Sequence, residues 1–234
     1  MQGHTQKQFD VDLVALRAGV LGMGHLVETQ INQAISGLID SHAITDEEIQ
    51  LTETAINDKE VELNHLCQQL IALRQPTAID LRLVMTYVRT VNDLERIGDE
   101  AKKVAMKARG MGQQPTLAQL RAELLVDMGR SASSLLRVAM DSLADLDVPK
   151  ASLVLDQDEA IDKQYLAALE CLIEVEMEGP EMKAAALDVA VVAKAIERIG
   201  DHAKNIAEGV ILVVKGKDIR HTSPDAVRRA VDAP

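Results

Sequence analysis

Tryptophan is missing from this chain, and only one Phe and two Tyr stand in for the aromatics. A core must then be built from small aliphatic side chains, and 47% of the 234 residues are apolar. That combination suits helices packed along their lengths. Positive charge is also short: 25 Lys and Arg face 37 Asp and Glu, for a net charge of −12. Such a chain is a poor direct ligand for nucleic acid. Two cysteines, Cys67 and Cys171, fall inside helical patterns and read as small buried hydrophobes in a reducing compartment. No signal peptide is visible, and no apolar run reaches the ~18 residues of a membrane span. The most apolar stretch, Ala184 to Ala193, is interrupted by Asp188. Glycine loops of the Walker type, nucleophile elbows and Cys/His zinc spacings are absent too.

What is present is a repeat. Glu95-Arg96-Ile97-Gly98-Asp99 returns as Glu197-Arg198-Ile199-Gly200-Asp201. The wider segments NDLERIGDEAKKVAMK (92–107) and KAIERIGDHAKNIAEG (194–209) share eight of sixteen positions, where average composition gives about one by chance. The chain is therefore expected to consist of two halves built alike.

Periodicity and punctuation divide each half into three helices. The first is expected over Phe9 to Ser41, with Leu13, Leu16, Val20, Met23, Val27, Ile31, Ala34 and Leu38 as its core stripe. Thr45 to Glu48 forms a capping box that opens the second, which stops at Arg74 before Gln75-Pro76. Thr77 and Asp80 open the third, which runs to Arg109 and carries the first motif. Gly110 to Pro115 is the boundary between halves. Thr116 starts a fourth helix, Asp147 and Pro149 a fifth, and Pro180 a sixth, which ends at Lys215 and carries the second motif. The expected fold is all-α: two tandem three-helix bundles of antiparallel helices, over 9–109 and 116–215. The polar tail, 216–234, is expected to be disordered.

On a helix, i and i+4 share a face. Glu95 pairs with Asp99, and Glu197 with Asp201, flanking a core stripe of Leu94, Ile97, Ile196 and Ile199. Paired carboxylates repel unless Lys, Arg or a cation that takes oxygen ligands lies between them. Glycine at the fourth position of both copies costs about 1 kcal/mol in a helix, which implies close approach of another backbone. Folding the fifth and sixth helices back near Gly179 sets Asp158 level with Asp201, and Asp162 level with Glu197. The same operation in the first half sets Asp58 near Glu95 but leaves Glu62 a turn from Asp99, with Glu53 as a substitute. The second cluster is therefore the better defined, and is expected to bind cations more tightly. Glu62 and His65 form an E-x-x-H, but di-iron sites need two copies and the second half has none. His202 points about 100° away from Asp201 and reads as a surface side chain. Arg96 and Arg198 are expected to pair with surface carboxylates.

The doubled ERIGD helices, RQPTAIDLR (74–82) and VVKGKDIRH (213–221) together resemble the PhoU family of bacterial phosphate-transport accessory proteins. The resemblance spans Phe9 to His221. It implies two three-helix bundles in a cytoplasmic, often dimeric protein that is not an enzyme. It also implies metal ions (iron, zinc, manganese or magnesium) on Glu95, Asp99, Glu197 and Asp201, with Asp158 and Asp162, and less securely Asp58 and Glu62, as partners. The implied role is to keep the phosphate-starvation response off when phosphate is plentiful. The implied partners are the ATP-binding subunit of the phosphate ABC transporter and a membrane sensor histidine kinase, reached from the membrane surface through protein contacts. The alternative is a carboxylate-bridged metal-binding protein or oxidase of helical-bundle type.

Overall fold

A computed structural model describes residues 2–40, 42–110, 124–174, 179–220, 222 and 229. Six long helices account for most of them: α1 (Gln2–Ile39), α2 (Asp46–Arg74), α3 (Ala78–Gly110), α4 (Val126–Asp145), α5 (Val148–Glu174) and α6 (Gly179–Lys215). There is no strand among the described residues.

Local chemistry sets the helix ends. Thr45 accepts from the Glu48 amide while the Glu48 carboxylate accepts from the Thr45 amide, 2.8 Å away, completing the expected capping box. Such a cap satisfies two amides that the helix cannot. Gln75, in the left-handed region at φ 49°, closes α2 through its amide to the Ile71 carbonyl. Asp147 opens α5 by accepting from the Lys150 amide at 2.9 Å. α1 begins at Gln2, a full two turns before the expected start, because no proline interrupts the polar segment ahead of Phe9. The expected start of the fourth helix at Thr116 lies outside the described residues.

Each half closes on itself, α1 with α2 and α3, and α4 with α5 and α6. The halves then join like to like: α1 packs on α4, and α3 on α6. α2 and α5 are left on the outside. One apolar core runs through the joint, from Leu16 and Met23 on α1 to Val210 and Ile211 on α6. Alanine, isoleucine, valine and leucine make up nearly all of it, and Tyr87 is its one aromatic among the described buried residues. Cys67 is fully buried, and burial pushes its thiol up to about 11; Cys171 is half-buried.

The start of the expected tail is packed rather than loose. Ile219 is buried, Gly216 donates to the Leu212 carbonyl, and Asp218 pairs with Arg220. An apolar side chain four residues past α6 is enough to fold the segment back. Beyond Arg220, only Thr222 and Arg229 are among the described residues.

Candidate functional site: two acidic clusters beside the motif helices

The seam between α3 and α6 brings the two motifs side by side. Polar pairs mark it along its length: Lys107 to Asp188 at 2.7 Å, Arg198 to Glu100 at 3.0 Å, His202 to Asp93 at 2.9 Å, and Arg82 to the Val213 carbonyl at 3.4 Å. Numbers fall on one helix as they rise on the other, so the helices run antiparallel and the ERIGD segments lie abreast. Leu94, Ile97, Ile196 and Ile199 are all buried, as their stripe predicts. The carboxylates emerge beside that stripe, toward α2 in one half and α5 in the other.

In the second half, Glu197, Asp158 and Asp162 lie near enough to Asp201 for their charges to act on it, at the level the hairpin register predicts. The Asp201 carboxyl is pushed above its ordinary range by burial first, then by the charges of Glu197, Asp158 and Asp162. Asp158 is 1% exposed. Two lysines meet this charge: Lys204 Nζ lies 2.7 Å from Asp158, and Lys194 Nζ 2.6 Å from Glu197. Glu197 Oε2 is buried and accepts no well-aligned hydrogen bond even so.

The first half keeps the expected register, but the face of α2 that meets the motif is not the one carrying Asp58 and Glu62. Glu53, buried at 4% exposure, meets Asp99. Burial raises the Asp99 carboxyl, and the charge of Glu53 and a hydrogen bond with it raise it further. Burial also raises Glu95, with Asp99, Glu60 and Glu53 adding to the effect. Asp58 and Glu62 do not join this cluster. Both are exposed, and Glu62 is held outward by Lys59 at 2.7 Å. The buried face of α2 carries Ile49, Glu53, Ile56, Leu63, Cys67 and Leu70. At 100° per residue, Asp58 and Glu62 lie 140° and 180° away from Glu53 on that helix. The turn fixes level; only the apolar stripe fixes face, and that stripe was the signal for Glu53 and Glu60. Gln30 on α1 is a further member with no sequence signal. Its Nε2 donates to Glu53 at 3.1 Å, and its Oε1 is buried without a partner.

Three other expectations need correction. The motif glycines make room for side chains, not backbone: a Cβ on Gly98 would meet Gln30 Oε1 at 3.0 Å and Ile56 Cδ1 at 3.3 Å, and one on Gly200 would meet Ile161 Cδ1 at 3.2 Å and Asp158 Oδ1 at 3.3 Å. His202 is not a surface residue but is 7% exposed, with Nδ1 against Asp93 of the other half. The seam that buries it could not be read from one helix. Arg198 pairs with a buried carboxylate, Glu100, rather than a surface one. Next to this seam a groove of about 960 Å³ opens, lined in part by Arg89, Arg96, Asp156, Glu159 and Arg220.

The donor set is oxygen-only, which fits hard and borderline cations. The buried, unpartnered Gln30 Oε1 fits them as well, whereas Glu197 Oε2 already lies 2.6 Å from Lys194 Nζ. As the side chains lie, no three of His, Cys, Asp or Glu among the described residues stand close enough to hold one ion. Lysine ammonium groups sit against the most buried carboxylate of each half.

Comparison with known proteins shows the same division. A family model described as "PhoU domain" matches twice, at residues 20–108 and 125–210. The chain is 35% identical over 229 residues to a phosphate-specific transport system accessory protein PhoU homolog of Pseudomonas aeruginosa, covering 98% of this chain and 94% of the relative. It is 33% identical over 225 residues to phosphate-specific transport system accessory protein PhoU of Escherichia coli, covering 95% and 91%. The crystal structure of PhoU from Pseudomonas aeruginosa superposes with a TM-score of 0.82 at 36% identity, over 89% of this chain and all of that one. That of the phosphate transport system regulatory protein PhoU from Streptococcus pneumoniae gives 0.80 at 28% identity, over 90% and 98%.

Proposed function

This chain belongs to the PhoU family, and on that premise we propose that it is a regulator of phosphate uptake that restrains phosphate-starvation signalling when phosphate is plentiful. The observation that carries the reading is full-length agreement: both halves match, and relatives named as accessory proteins of the phosphate-specific transport system align over nearly the whole chain. No described helix is long and apolar enough to cross a membrane. The protein therefore reaches a transport system by docking. Its partners are the transporter's ATP-binding subunit and a membrane sensor histidine kinase, met on their cytoplasmic parts, and it acts as a homodimer. The net charge of −12 disfavours adsorption to anionic lipid and favours specific protein contact. Regulation without catalysis agrees with the relatives' names and with clusters whose one adjoining histidine, His202, turns away to Asp93.

Divalent or ferric ions, from among iron, zinc, manganese and magnesium, bind the acidic clusters in this reading. Glu95, Asp99 and Glu53 would hold them in the first half, and Glu197, Asp201, Asp158 and Asp162 in the second. The ion supplies positive charge that removes carboxylate repulsion and stiffens the outer helix against the motif helix. Asp58 and Glu62 are left out of this assignment because they face away.

Co-purification tests the partner reading. The tagged full-length chain is mixed with purified ATP-binding subunit, and separately with the kinase's cytoplasmic portion. Retention of both is expected. Retention of neither, with folded protein on both sides, removes the docking role.

A further inference from the structure

The two clusters are not equivalent, and the differences fall at matched positions. Gly98 and Gly200 match by the repeat, and Ile56 and Ile161 fill the same place against them. Counting from those isoleucines, Glu53 corresponds to Asp158 and Glu60 to Tyr165. Along the motif helices, Lys102 corresponds to Lys204 and Asn92 to Lys194. So the second half has an additional lysine and a tyrosine where the first has an asparagine and another carboxylate. Lys194 Nζ lies 5.3 Å from the Tyr165 ring centre, which helps to hold it over Glu197. Asn92 only accepts a long hydrogen bond from Asn64, at 3.4 Å. The shared lysine also differs, with Lys204 at 2.7 Å from Asp158 and Lys102 at 3.4 Å from Glu53.

A second observation points to a ligand at the first cluster. Gln30 is 1% exposed, and its Oε1 has no donor while aimed at the space beside Gly98. A buried carbonyl oxygen without a donor is costly, and here it sits beside Glu53 with only one loosely placed ammonium nearby.

We propose that the chain's own lysines act as built-in counter-ions that compete with divalent cations, so that the first cluster takes a cation at lower concentration than the second. This rests on the metal reading above and reverses the order expected from the sequence. A cation entering the second cluster must displace Lys194 from Glu197 and Lys204 from Asp158. One entering the first displaces Lys102 alone and gains the Gln30 oxygen.

The test is titration of the full-length protein with manganese(II), read by bound-metal spin resonance and by the reactivity of each lysine toward an acylating reagent. Lys102 should become more reactive at low manganese, and Lys194 and Lys204 only at higher concentration. Exchanging the distinguishing residues gives the second arm. Lys194→Asn should tighten the weaker site about fivefold, and Asn92→Lys should weaken the tighter one about fivefold, the effect of one partly exposed ion pair. Both positions are at the surface, so both variants should fold. Two sites with equal midpoints, or exchanges that change neither, overturn the lysine proposal and leave the metal reading standing. No manganese bound by the wild type or either variant overturns both.

Discussion

Replacing Glu53 by Gln should make the cation-free protein more stable. Glu53 is buried at 4% exposure and shares a hydrogen-bond contact with Asp99, which is itself held up in pKa by burial and by that neighbour. Two like charges at about 4 Å repel by about 4 kcal/mol at an effective dielectric near 20. Asp99 is only partly withdrawn from water, and salt screens it, so about half that figure is a fair upper value. Against it stands the attraction of Lys102, 3.4 Å away and partly exposed, which contributes about 1 kcal/mol at most. Glutamine keeps the shape and an acceptor for Gln30. The balance is a gain of about 1 kcal/mol, or about 2–4 °C in Tm for a chain of this size. Calorimetry or urea unfolding near neutral pH, with a chelator present, reads it. Saturating divalent cation should erase or reverse the gain. A loss of about 1 kcal/mol or more with chelator would show that the Gln30, Glu53 and Lys102 network is stabilising as it stands, and would refute the idea of a strained cluster.

Acidification offers a second check on the same strain. Burial and neighbouring carboxylates raise the acids Glu95, Asp99 and Asp201, so the folded state binds more protons than the unfolded one between the ordinary and the raised values, and stability falls as pH rises through that window. Cation-free protein should gain Tm as pH is lowered from neutral into the acid range, then lose it at lower pH as the depressed Asp12, Glu48, Asp145 and Asp218 protonate, Asp218 holding its charge to about 2 through Arg220; a monotonic loss from neutrality would contradict the sign. Gly209→Ala places a Cβ at 2.8 Å from Thr86 Cγ2 across the α3–α6 seam, and should destabilise by about 1–3 kcal/mol in denaturant despite alanine's better helix propensity, with Thr86→Ser restoring most of it. Thr45→Ala removes the cap of α2 and should cost about 1 kcal/mol in the same assay.

The α2–α3 hairpin shows how far the sequence could be read. The capping box at Thr45, the stop at Arg74 and the buried stripe of α3 all come from local chemistry, and each is where the residues place it. The level of partners across the hairpin was legible too, because the turn near Pro76 fixes it. Choosing Asp58 and Glu62, with Glu53 only as a substitute for Glu62, missed the cluster because level and face are separate questions, and the face is written in Ile49, Ile56, Leu63 and Leu70 rather than in the acids. Gln30 and His202 were beyond reach for another reason. Their surroundings come from α1 and from the opposite half, and a single helix period carries no record of what packs on it. The second cluster was easier: Asp158 and Asp162 lie in one hairpin with their targets, and the buried side of α5 includes Asp158 itself.

Expression of phosphate-starvation genes in a deletion strain tests the regulator reading most directly. The gene is removed from its own host, the cells are grown with abundant phosphate, and a starvation-promoter reporter is measured with and without the gene restored. High reporter activity in the deletion strain, returned to the repressed level by the wild-type gene, is the predicted result. A deletion strain that keeps the reporter repressed in abundant phosphate would contradict the account.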